Sequence, residues 1–240
     1  MGKSVTVIEA MDRLMKRAVS APVSAFFDQL HRDRGVDIVY DARVAGINPQ
    51  GRSSEVELDD GRVFVADLVI VGAGVMPNQE IAAEAGLICS NGIDVDDYAA
   101  TSDPDIYAIG DVSFHPNALT GRRLRLESVQ NATDQARALA KTLTGTPTPY
   151  TAVPWFWSDQ YDIKLQMAGL AEGFDTHVVR GDPGARSFSV FYFKDGCLIA
   201  ADSINAPADH MAARRILGQA KPALTPEEAG DPAFDLKTRM

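Results

Sequence analysis

The sequence predicts an α/β fold followed by a small α+β domain, and three observations carry that prediction. Two short apolar runs, Asp67 to Val71 and Ile106 to Ile109, each stop at a glycine, the way buried parallel strands end at the carboxyl edge of a sheet. Segments with apolar residues at helical spacing lie among them. A proline-rich stretch, Pro147 to Pro154, reads as a linker and gives way to an aromatic segment and a run of strands whose last two join at a tight turn, which marks a second domain.

With 240 residues the chain has room for one large or two ordinary domains. Its 45% hydrophobic and 23% charged composition is that of a globular protein, not a disordered one. A net charge of −10 argues against nucleic acid as a partner. The two cysteines, Cys89 and Cys197, are far apart and form no CxxC, so they offer no disulfide framework, zinc site or dithiol redox pair. No run has the length of a membrane span and no signal-peptide layout opens the chain, so a cytoplasmic protein without membrane attachment is expected.

Ser4 to Ile8 is a β-branched strand with Glu9 directly at its end. An acidic residue there accepts from the adenosine ribose hydroxyls of NAD and repels the extra phosphate of NADP, although a solvated Glu after an edge strand looks the same. The strand, Gly-rich turn and helix that ordinarily precede such a strand are not in the sequence. The nearest approach to G-x-G-x-x-G, Gly72-Ala73-Gly74-Val75-Met76-Pro77, lacks the third glycine and carries proline where a helix must start. The chain is therefore expected to begin inside a dinucleotide domain, without the loops that seat a dinucleotide's phosphates.

Ala21 to Arg34 has helical spacing, with Pro22 near its start and Gly35 as its stop. Val36 to Tyr40 is a strand. Val44 to Ile47, Ser54 to Leu58 and Arg62 to Val65 form an antiparallel meander turning at Asp59-Asp60-Gly61. Asp67 to Val71 reads as a fully buried strand, and Gly72 and Gly74 let backbone approach a flat ligand, or simply a neighbouring helix. A short helix, Ile81 to Gly86, and the stretch Gly92 to Asp97 lead to Ala99 to Val112, AATSDPDIYAIGDV. There Gly110 ends the apolar run and Asp111 follows at the sheet edge, where α/β folds hold ligands. Asp111 only accepts hydrogen bonds at neutral pH, which suits a polyol or ribose and not a phosphate. An Asp after Gly is also the usual cap of a turn or helix.

A loop with His115, Pro116 and Gly121 follows, then Arg122, Arg123 and Arg125, either a solvated run or a patch steering an acidic carrier. Glu127 to Leu143 is an alanine-rich helix stopped at Gly145, whose amino end would stabilise negative charge. Beyond the linker, Trp155 and Trp157 default to packing. Ile163 to Met167, Thr176 to Val179, Ser187 to Phe193 and Cys197 to Ser203 are strands, with a hairpin at Lys194-Asp195-Gly196. Ala208 to Leu217 is a helix, and the tail with Pro222, Pro226 and Pro232 is expected on the surface.

Four segments, VIVGAGVMPN, SDPDIYAIGD, RLESVQNATDQA and WSDQ, together resemble the FAD-dependent ferredoxin reductases of the putidaredoxin-reductase and dioxygenase-reductase type, with rubredoxin reductase as a relative. The resemblance implies a partial two-dinucleotide-binding-domain flavoprotein, Rossmann-like, with residues 1–83 in the NAD domain, 84–150 in the FAD domain and 151–240 in an α+β reductase domain. It implies FAD and NADH as cofactors, and a [2Fe–2S] ferredoxin, or a rubredoxin, as acceptor, serving an oxygenase or cytochrome P450. By resemblance Glu9 meets the adenosine ribose, and Gly72, Gly74 and Val75 the nicotinamide. Gly110 and Asp111 meet the ribitol of FAD, Val129 and Gln130 the flavin, and Trp157 lies near the flavin at the partner face, with Trp155 in the core. No side chain acts as acid or base, because hydride transfer is the cofactor's chemistry. Two other functions stay open: a cofactor-free binding or dimerisation module, possible as a homodimer, and an NADH peroxidase or disulfide reductase. The second lacks a redox cysteine pair, and its only His-Pro, His115-Pro116, lies outside the last domain.

Overall fold

The structure, a computed structural model, describes residues 2–240; Met1, where the first predicted domain opens, lies outside the described residues. The chain forms two compact units, one running up to Gly74 and one from Val75 to Met240.

In the first unit β1 (Val5–Ile8) pairs in parallel with β2 (Val36–Val39), and α1 (Ala21–Arg32) joins them and packs on β2. Helix α1 carries Pro22 in its first turn, where the missing N–H costs nothing, and buries Val23, Phe27 and Leu30, spaced four and three apart. The meander follows as β3 (Val44–Gln50), β4 (Ser53–Leu58) and β5 (Val63–Ala66), all antiparallel.

Asp67 to Val71 is not the buried strand its composition predicts. The segment carries no ladder, and Leu68 is 77% and Ile70 85% exposed. A buried parallel strand needs neighbours on both sides, and among the described residues the parallel sheet of this unit has only two strands, so it offers Asp67 to Val71 no such place.

The second unit opens with α2 (Glu80–Glu84), three residues beyond Pro77. Strand β6 (Ile93–Asp94) runs parallel to β7 (Ser113–Asn117), which pairs antiparallel with β8 (Arg122–Leu124). The stretch predicted as a loop around His115 is thus a hairpin, with Ser113, His115 and Asn117 buried on one face by strand alternation. Ile106 to Ile109 makes only an isolated bridge, Ala100 to Tyr107, and leads into a 3-10 turn, Gly110–Val112. The predicted strand is replaced because Ile106 bonds back to Asp103 and Thr101 to Ile106, closing a local turn. Helix α3 (Val129–Leu143) begins two residues after Glu127, capped by the Ser128 hydroxyl, which accepts from Asn131 N–H at 3.0 Å.

The predicted linker carries no regular structure, but it is anchored. Tyr150 is buried and its hydroxyl donates to Asn131 Oδ1 at 2.9 Å. A five-stranded antiparallel sheet follows, ordered β11-β12-β13-β10-β9, built from β9 (Trp155–Gln160), β10 (Ile163–Gly169), β11 (Thr176–Asp182), β12 (Ser187–Lys194) and β13 (Cys197–Ile204). Positive φ at both Asp195 and Gly196 makes the β12–β13 hairpin a two-residue turn of the kind that matches strand twist. Helices α4 (Pro207–Leu217) and α5 (Pro226–Gly230) cover one face around Phe191, Phe193 and Ala201.

The tail departs from its predicted surface placement. Leu224, Ala229 and Leu236 are buried in that core, and the Arg180 guanidinium donates to the carbonyls of Asp231, Pro232 and Phe234. Its prolines initiate α5 and shape a wrap; they do not mark solvated chain. Among the described residues no helix is long and apolar enough to cross a membrane.

Candidate functional site

In the second unit, the turn Gly110–Val112 and the first turns of α3 are held together by buried polar groups. Gly110 has φ +76°, a left-handed conformation that glycine takes without strain. Its N–H donates to Gln135 Oε1 at 2.6 Å, and the Ser113 hydroxyl lies 2.9 Å from Gly110 O and 3.0 Å from the same Gln135 oxygen. Gln135 and Ser113 are both buried. Gln135 stands one helical turn beyond Asn131, whose side-chain amide donates to Leu126 O at 3.0 Å and accepts from Tyr150. Two amides on one face of α3 therefore fix the turn, the approach to the helix and the linker.

What this scaffold presents is an exposed Asp111 on the turn and, in the first turn of the helix on which that turn packs, an exposed Val129 and a half-buried Gln130. Arg125 donates to Asp111 O at 3.3 Å, but among the described residues nothing donates to the Asp111 carboxylate. Gln130 donates through its side-chain amide to Asp134. The N–H groups of Val129 and Gln130 have no acceptor within the helix, as in any first turn. An acceptor-only carboxylate next to free amide donors at a positive helix end fits a polyol joined to a ring that takes up negative charge. FAD has both parts in its ribitol and flavin.

Trp157 stands on β9, which touches α3. Its ring lies 5.5 Å from that of Trp155, and the Arg214 guanidinium sits 4.4 Å above Trp155. Trp155 is half-buried and also meets the buried His210 ring at 5.8 Å. Burial and the nearby Arg214 push His210 down to about 4, so it is neutral at pH 7. Burial also lowers His115.

Glu9, Gly72 and Gly74 lie in the other unit. Glu9 follows β1, and its carboxylate accepts from Met11 N–H at 2.9 Å. Gly72 and Gly74 are exposed on irregular chain; a Cβ at Gly72 would meet nothing within 4 Å, and at Gly74 only Arg17 Nη1 at 4.0 Å. Packing by the chain itself does not explain either glycine, although Gly74, at φ +92°, is also favoured by its backbone. Open space above two glycines fits the flat ring of a nicotinamide. Val75 is 64% exposed.

Sequence reasoning passed over Gln135, Ser113 and the side-chain role of Asn131, and read Arg125 only as part of a basic run. A glutamine spaced one turn from an asparagine on the inner face of an amphipathic helix is the signal that would have found the first and third.

The reductase C-terminal family model matches residues 155–240, and the pyridine nucleotide-disulphide oxidoreductase model matches residues 1–136. Rhodocoxin reductase from Rhodococcus erythropolis is 52% identical over 237 residues, 98% of this chain and 55% of the relative. Putidaredoxin reductase from Pseudomonas putida is 41% identical over 97% of this chain and 56% of its own. The crystal structure of the ferredoxin reductase for the CYP199A2 system from Rhodopseudomonas palustris superposes with a TM-score of 0.95 at 48% identity, covering 99% of this chain and 59% of that one. The covalent putidaredoxin reductase–putidaredoxin complex gives 0.91 at 40% identity, covering 97% and 56%. The chain spans a little over half the length of these relatives.

Proposed function

Because the chain belongs to the pyridine nucleotide-disulphide oxidoreductase family and carries a reductase C-terminal region, we propose that it serves an electron-transfer flavoprotein that takes electrons from NADH and delivers them to a [2Fe–2S] ferredoxin of an oxygenase or P450 system. The observation that carries the reading is the exposed, unpaired Asp111 carboxylate set beside the amino end of α3 by Gly110 and Gln135. The likeness to relatives named as ferredoxin reductases, one of them crystallised with putidaredoxin, supports the acceptor. A rubredoxin is the alternative acceptor and a homodimer the alternative assembly. The cytoplasm is the compartment in which its two free cysteines stay reduced.

Bound FAD supplies the exchange between a two-electron donor and a one-electron acceptor. Asp111 accepts hydrogen bonds from the ribitol hydroxyls and fixes the cofactor's position along the turn. The first-turn N–H groups of Val129 and Gln130 face the pyrimidine side and stabilise charge there without reorganising. Glu9 accepts from the adenosine ribose of NADH and disfavours NADPH by charge repulsion. Gly72, Gly74 and Val75 leave room for the nicotinamide. Trp157 would lie near the flavin, at the surface that receives the acceptor. We assign residues 1–83 to the NAD domain, 84–150 to the FAD domain and 151–240 to the reductase domain.

The test is anaerobic mixing of the chain with FAD, NADH and a [2Fe–2S] ferredoxin. Chain-dependent bleaching of the visible flavin band, passed on to the ferredoxin and favouring NADH over NADPH until Glu9→Ala removes the preference, supports the reading. Bleaching no faster than with FAD and NADH alone contradicts it.

A further inference from the structure

We propose that Gln135 is a positioning residue: it sets the aim of Asp111 at the cofactor's ribityl chain through the backbone of Gly110. The inference rests on the reading that Asp111 meets the ribitol.

The geometry is closed and buried. Gly110 N–H has one acceptor, Gln135 Oε1, at 2.6 Å. Gln135 is 2% exposed, and the Ser113 hydroxyl reaches the same oxygen, tying both ends of the turn Gly110–Val112 to one side chain. The turn contains Asp111, whose own carboxylate has no donor among the described residues to hold it. Its direction is therefore inherited from the backbone on either side. Glycine takes this left-handed turn without strain but does not enforce it, so a clamp from outside the turn selects the conformation. Gln135 also rides on α3, the helix whose amino end faces the same ligand. One side chain thus locks the carboxylate and the amide donors into a common register, as a binding site built on rigid elements requires.

Without Gln135 the Gly110 N–H is a buried donor with no acceptor, and the turn rotates to find water. The consequence is specific: the part of the affinity that comes from the ribityl chain is lost, and the part that comes from the ring stays.

The experiment compares riboflavin with lumiflavin, which has the same ring and no ribityl chain, by fluorescence titration of the full chain. Asp111→Ala, Gln135→Met and Gln135→Glu are the variants, with circular dichroism confirming the fold of each. The wild type is expected to prefer riboflavin by roughly tenfold, the worth of a charge-assisted hydrogen bond. Asp111→Ala and Gln135→Met should both remove the preference and leave lumiflavin binding unchanged, and Gln135→Glu, which keeps an acceptor oxygen, should restore most of it.

A folded Gln135→Met chain that still prefers riboflavin, or that loses both ligands equally, overturns the proposal. A wild type with no preference, or an Asp111→Ala chain that keeps it, overturns the underlying reading as well, so the two failures are told apart. Amide exchange in the ligand-free wild type needs no variant. A Gly110 amide protected before ligand arrives supports the clamp, and one that exchanges as fast as an open loop overturns it.

Discussion

The buried carboxylate of Asp202 is the least comfortable charge in the second unit. It is 3% exposed, the carboxyl group has one hydrogen bond among the described residues, from the Tyr192 hydroxyl at 2.7 Å, and burial pushes it up to about 7 against that bond. A carboxyl group with a folded pKa above its unfolded value holds its proton in the native state. Its stabilising effect is complete below about pH 4 and is lost as pH rises towards 7. Asp202→Asn keeps an acceptor for Tyr192 and removes the titration. Chemical denaturation of wild type and variant between pH 4 and 8 should therefore diverge as pH rises, the variant gaining relative stability up to a ceiling of about 4 kcal/mol. Parallel curves would show that Asp202 is not the titrating group. None of this was legible in sequence, because a lone Asp in a run such as Cys197 to Ile204 reads as the polar face of an alternating strand. Gly110 and Asp111 drew notice only through the resemblance of SDPDIYAIGD to a flavin-binding motif, because an Asp after Gly by itself more often caps a turn.

At the scale of elements, the sequence announced what local chemistry decides and missed what neighbours decide. Pro22, the Asp-Gly turns and the apolar, β-branched and aromatic composition of β10 to β13 are local, and each of these elements forms within a few residues of its predicted bounds. Asp67 to Val71 and Ile106 to Ile109 have strand composition, but a buried strand depends on partners that pattern cannot supply. The tail failed for the opposite reason. Its prolines looked like solvated chain, yet Leu224 and Leu236 are placed far enough apart to reach one core. Leu236→Ala should cost about 2–3 kcal/mol in denaturant melts, the usual penalty for a buried leucine; a change within error would mean that the tail only rests on the sheet. Ser128→Ala should cost about 1 kcal/mol by removing the α3 cap. It should also weaken flavin binding, since the same turn carries the Val129 and Gln130 amides.

The chain divides at the Gly74–Val75 bond into two compact units, and the stretch on either side of that bond is exposed and irregular. Limited proteolysis should therefore cut first between Asp67 and Gln79, where backbone is accessible and unpaired; a first cut in the loops of the five-stranded sheet would contradict that division. Family membership follows from the match over residues 1–136, and the fold class read from the sequence agrees with it. The activity rests on a smaller base, the residues gathered around Gly110.

The most direct test of that base is equilibrium binding of FAD to the full chain and to Asp111→Ala, followed by quenching of flavin fluorescence. The account predicts weak but saturable binding by the wild type, since no Gly-rich phosphate loop lies in these 240 residues, and a further loss of roughly tenfold in the variant. Equal binding by the two chains would place the cofactor elsewhere and remove Asp111 from the site.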